Sequence, residues 1–204
     1  MSALPRPDDD PAAPTPLHDH AFESLRVIRE AMERAGSFTA VPGVATMAVG
    51  ATAIVAALLA HRAGTGPGWL LAWIGEGILA AAISVAAIAR KARRLGLPLD
   101  SGPSRKFALA FAPGLVAGAT MTWALASQGL GALLPGTWLL IYGTAVTAAG
   151  ATSVRIVPLM GSSFMALGIA ALACAPGYGD WFMAAGFGGL HLAFGAAIAR
   201  RHGG

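Results

Sequence analysis

Six apolar runs, each close to the length that crosses a bilayer, leave this chain few ways to fold. They are Pro42–Ala60, Trp69–Ala89, Phe107–Ala126, Trp138–Ser153, Ile156–Ala175 and Trp181–Ala199. A hydrocarbon core about 30 Å thick takes roughly 20 helical residues at about 1.5 Å each. Only 12% of the 204 residues are charged and mean hydropathy is +0.63, where a soluble domain carries about a quarter charged residues. The expected fold is therefore all-α: a polytopic transmembrane bundle of six spans. The fourth and fifth runs are separated only by Val154 and Arg155, which requires a tight hairpin.

Charge gives the direction. Arg6, Arg26, Arg29, Arg34, Arg90, Lys91, Arg93, Arg94, Arg105, Lys106, Arg155, Arg200 and Arg201 all fall on one side of a six-span layout, and Arg62 alone falls on the other. The positive-inside rule makes the crowded side cytoplasmic, with both termini there. The pI near 10 then reflects topology, and nucleic acid is not expected as a partner.

A short pattern recurs. PGWLLAW (67–73), PGTWLLI (135–141) and PGYGDWF (176–182) each set a Pro-Gly turn and a Trp ahead of an apolar run, on the side away from the basic residues. Indole rings favour the headgroup level. The spans that follow end on Arg90, Arg155 and Arg200. The odd spans share VPG (41–43), APG (112–114) and VPL (157–159), and proline suits a first helical turn. Pro113 lies deeper, at a place where proline kinks a helix. The chain thus reads as three tandem hairpins. Either a triplication or the same interface physics acting three times accounts for the repeat. Gly114 and Gly118 fit close helix packing, and Cys174 reads as a small buried packing residue.

Three segments are expected. Residues 1–18 hold five prolines and three consecutive aspartates, a composition that stays disordered. They lack the charged start and apolar stretch of a cleavable signal peptide. Residues 19–37 contain an amphipathic helix, with Phe22, Leu25, Ile28 and Met32 at helical spacing and opposite charges at i,i+4, Arg26 with Glu30 among them. It is read as lying on the inner leaflet or under the bundle, with a protein partner for residues 20–36 as the alternative. Residues 38–204 form the six-span domain. His18, Asp19 and His20 are too few and too loosely held to make a metal site.

Two ionisable residues fall inside spans. Glu76 lies about 10 Å, and His191 about 15 Å, below the Trp that opens its span. Such groups are expensive in lipid unless paired, neutral or facing water, so they mark a candidate site. Gly75 and Gly77 flank Glu76. Gly188, Gly189 and Gly195 surround His191 and are read as clearing space for its ring. The two could relay a proton if spans two and six are neighbours, or sit neutral and fix helix register. Tyr142, Thr144 and Thr147 make the fourth span the most polar. They either line a cavity or bond within the helices. His191 has no evident second axial ligand for haem, and no cofactor or metal is expected. No HExxH, GxSxG, P-loop or CxxC pattern is present, so an enzyme is not expected.

At REAMERAGSFTAVPG (29–43), SVRIVPLMG (153–161) and LHLAFGAAIARRHGG (190–204) the chain resembles a family of uncharacterised six-span bacterial inner-membrane proteins. The resemblance implies that location and brings no activity, cofactor or site residue. The functional expectation is a small solute or ion transporter or channel, proton-linked through Glu76 and His191. The alternative is a non-transporting accessory, assembly or sensory subunit that works through a protein partner. Six short spans make a thin bundle, which favours a homo-oligomer in the lipid bilayer.

Overall fold

The computed structural model describes residues 22–28, 42–94, 102–151, 153–174 and 176–202. Helix α1 (22–28) belongs to a unit that ends at Gly36, and the spans belong to a second unit, Ser37–Gly204. α1 is exposed along its length, and Arg26 bonds Glu23 one turn earlier at 2.7 Å. Glu30, expected as a partner of Arg26, lies outside the described residues, as do 1–21 and 29–41.

The second unit contains α2 (Gly43–Ala63), α3 (Pro67–Arg94), α4 (Gly102–Ser127), α5 (Leu134–Gly150) and α6 (Ile156–Ala173). Its last span is composite: α7 (Gly179–Met183), a π-helical segment (Ala184–Leu190) and α8 (His191–His202). Six helices are long and apolar enough to cross a membrane, and no strand occurs among the described residues. In lipid every backbone N–H and C=O must be satisfied within the segment, which helices do. The protein is a multi-pass, all-α integral membrane protein.

The Pro-Gly repeats mark helix starts. Pro67 opens α3, Pro135 occupies the first turn of α5, and Pro176 begins a 3-10 turn just before α7. Pro42 caps α2 and Pro158 lies in the first turn of α6. A proline there forfeits an N–H that has no helical acceptor anyway. Pro113 is the exception: α4 runs continuously through it, without the bond it would give Leu109. The turn between α2 and α3 needs Gly64 and Gly66 at φ 71° and 121°, a backbone region other residues avoid. Much of the basic loop is helix, because α3 continues to Arg94 and α4 begins at Gly102. Lys91, Arg93 and Arg94 thus sit at the negative end of the α3 dipole.

The three hairpins describe chain order, but the closest pairs cross hairpin boundaries. α5 packs most extensively on α6, and α2 takes the last span as its main partner. Both pairs are antiparallel and built alike. Glycines recur every seventh residue, at 43 and 50, 188 and 195, 136, 143 and 150, and 161 and 168. Each faces a larger residue across the pair. Gly50 faces Leu192, Gly195 faces Met47 and Gly188 faces Ile54, while Gly143 faces Met165, Gly168 faces Leu140 and Gly136 faces Leu172. Small residues let backbones approach, which is where packing energy comes from when lipid is as apolar as the helices. A strict seven-residue repeat also imposes a left-handed wrap.

α3 and α4 are peripheral. Within each, 6% of the spanning window is buried. α4 meets α5 through Gly114 on Ala145 and Gly118 on the Trp138 ring. α3 leans on α2, and among its described residues Glu76 alone is buried.

One expectation is corrected here. Cys174 is exposed. α6 ends at Ala173, and Cys174 is extended beyond it, past the packed part of the span. Trp138 lies one turn inside α5, where its Nε1 donates to Thr122 Oγ1 on α4 at 2.8 Å. Of the three repeat tryptophans, Trp181 is the exposed one, at 68%.

Candidate functional site

The polar residues of the spans separate into two pairs. The first joins α2 and α3. Glu76 is buried, and its Oε1 lies 2.8 Å from Thr52 Oγ1. Thr52 has a single hydroxyl proton, yet the carbonyls of Ala48 and Val49 are also within reach, at 3.2 and 2.9 Å. Two arrangements satisfy this geometry. A carboxylate accepts the Thr52 proton. A carboxylic acid donates to Thr52 Oγ1 while Thr52 donates to Val49.

The second pair joins α5 to the last span. Tyr142 Oη is 2.7 Å from His191 Nε2, and His191 Nδ1 is 2.9 Å from the Phe187 carbonyl. A carbonyl only accepts, so Nδ1 carries the proton. In the neutral ring Nε2 is then the acceptor and the tyrosine hydroxyl the donor. His191 is 3% exposed, and this neutral tautomer satisfies both of its nitrogens. The π-helical segment delivers Phe187 and His191 to the same face. π-helical insertions into helices are often found at functional sites.

Aromatic rings connect the pairs. Trp69 and Trp73 of α3 lead to Phe187, then to Tyr142 and Phe164, then to Phe111 and Phe107 of α4. His191 stacks on Phe187 with an interplanar angle of 18°. Trp73 Nε1 is buried in this seam with no hydrogen-bond partner among the described residues.

Glu76 and His191 share no hydrogen bond. α3 and the last span both run from the Trp-rich end to the basic end, and they meet through the Trp73 and Phe187 rings, whose centroids are 6.0 Å apart.

Thr144 and Thr147 do not join either pair. Thr144 is exposed and bonds the Leu140 carbonyl at 2.9 Å. Thr147 bonds the Gly143 carbonyl at 2.8 Å and packs on Gly161. Backbone carbonyls one turn back are the nearest acceptors in a helix, and they take these hydroxyls. Nor do Gly188 and Gly195 clear space around His191, since they hold α2 against the last span. Gly189, Gly75 and Gly77 face open space.

A further cluster was not anticipated. Asp180 accepts from Trp69 Nε1 at 2.7 Å and lies 3.1 Å from His61 Nδ1, tying the Trp-rich ends of α2, α3 and α7 together. Its one sequence signal was an acidic residue directly before Trp181. Removing this acceptor by Asp180→Ala is expected to cost about 1–2 kcal/mol and to shift Trp69 emission. Trp69→Phe should reproduce most of the loss, and a D180A protein as stable as wild type would refute the clasp.

Among the described residues no group of three or more His, Cys, Asp or Glu side chains is placed to hold a metal ion. No protein family, curated protein or solved structure matches this chain, so the resemblance to bacterial inner-membrane proteins gains no support beyond its three motifs.

Proposed function

We propose that this protein is a non-enzymatic small-solute or ion transporter or channel of a bacterial inner membrane, with proton-linked movement through the bundle. The observation that carries this reading is that two ionisable groups, Glu76 and His191, are buried within the spans, each against a hydroxyl that can both accept and donate. Thr52 and Tyr142 can both accept and donate, and when Glu76 is protonated the Val49 carbonyl takes the Thr52 hydroxyl proton. The unpartnered Trp73 N–H lies one turn from Glu76 and offers a donor to a polar group passing between the pairs.

The test is flux into liposomes driven by a pH gradient. Glu76→Gln and His191→Ala are each expected to lower it on the order of a hundredfold, the usual contribution of a positioned proton-transfer group. Thr52→Val should lower it less. Wild-type flux in a folded Glu76→Gln variant would sink the proposal.

One observation favours the accessory alternative. α3 and α4 bury little of themselves within the chain, leaving apolar faces for lipid, a second copy or another membrane protein. A folded wild type with no flux would point there. The segment 20–36 proposed as partner-binding lies mostly outside the described residues.

A further inference from the structure

α6 and the last span are consecutive in the chain, yet they pack on each other far less than on α5 and α2. At the basic end this leaves a groove of about 330 Å³ between them. Its walls are Ile156 and Leu159 of α6 and Phe194 and Ala197 of α8, and Arg155 and Arg201 stand at its mouth. Leu159 is 60% exposed. From Arg201 to Phe194 the groove descends about 10 Å along the helix.

We infer that this groove binds an anionic phospholipid from the leaflet on the basic side, phosphate against the two guanidiniums and one acyl chain along the apolar walls. Charge is the first reason. Two exposed arginines converge with no carboxylate partner among the described residues. The described acidic residues are committed elsewhere: Glu23 to Arg26, Glu76 to Thr52 at mid-span, and Asp180 to Trp69 at the opposite end. Guanidinium forks match phosphate oxygens in a bidentate manner. Shape is the second reason. A soluble anion would use only the mouth, whereas the walls are apolar and open sideways into hydrocarbon. Basic pockets between spans on one side of a membrane are typical headgroup sites. A second copy of the chain has no uncommitted carboxylate among its described residues to place there.

The experiment is native mass spectrometry of the full chain released from nanodiscs of mixed phosphatidylglycerol and phosphatidylcholine. Wild type is expected to retain one phosphatidylglycerol in preference to phosphatidylcholine. R155Q/R201Q should lose that preference by at least tenfold. Ala197→Leu, which fills the groove and keeps both arginines, should lose it as well. R93Q/R94Q, a charge-matched control on α3, should keep it. Thermal melts in phosphatidylcholine alone confirm that each variant is folded. Equal retention of the two lipids, or equal loss in the control, would overturn the inference. Displacement by millimolar glycerophosphate with no effect of Ala197→Leu would assign the arginines to a soluble anion, and overturn it too.

Discussion

Gly143→Leu is expected to unfold this protein in mild detergent. A Cβ at Gly143 would stand 2.6 Å from the Gly161 carbonyl oxygen and 2.7 Å from the Met165 nitrogen. Both are backbone atoms, so the whole of α6 must retreat. Overpacking usually costs about 1–3 kcal/mol, and here the displacement propagates to Gly136 and Gly150 on the same seam. Even Gly143→Ala should lower the unfolding midpoint clearly. Gly189→Ala serves as the comparison. Nothing lies within 4 Å of its Cβ position, so the change should stay within about 0.5 kcal/mol. Equal midpoints for the two alanine variants would show that the glycine seam does not hold α5 to α6.

The Tyr142–His191 bond should reveal itself as non-additivity. Tyr142→Phe leaves the His191 Nε2 lone pair buried without a donor, and His191→Phe leaves the Tyr142 hydroxyl without its acceptor. Each single change is expected to cost about 1–3 kcal/mol. The double variant removes both polar atoms and keeps the rings, so it should fall short of the sum by about 1 kcal/mol, within the range for hydrogen bonds between membrane helices. Additivity to within about 0.3 kcal/mol would mean that the two groups act independently. Nitrogen NMR of labelled His191 gives a second readout, since the geometry demands the Nδ1–H tautomer.

Length, hydropathy and the placement of arginines sufficed for the number of spans and for grouping the basic residues at one end. Those properties act on each segment alone. Partner choice does not. α2 takes the last span because Gly43 and Gly50 meet Gly195 and Gly188 in matching register. α5 carries the same seven-residue glycine spacing, so the spacing alone cannot say which helix belongs with which. The site was legible to the same degree. Glu76 and His191 stood out as ionisable residues in apolar runs, and Tyr142 as a polar residue in the fourth span. Pairing His191 with Tyr142, and Glu76 with Thr52, depends on helix adjacency. Asp180 escaped notice because an acid at the start of a span looks solvated until Trp69 of another hairpin is brought to it.

The two glycine-lined pairs have a mechanical corollary. Inside each pair, backbone rests on backbone and few side chains can rearrange, so each moves as one body. Between the pairs Tyr142, Phe164 and Phe187 meet ring against ring, and Gly179 and Gly186 of the last span face Pro135 and Leu139 of α5. Packed interfaces yield by sliding or rocking as units rather than by stretching. Movement of one pair against the other would run along this seam and would have to break the Tyr142–His191 bond that crosses it.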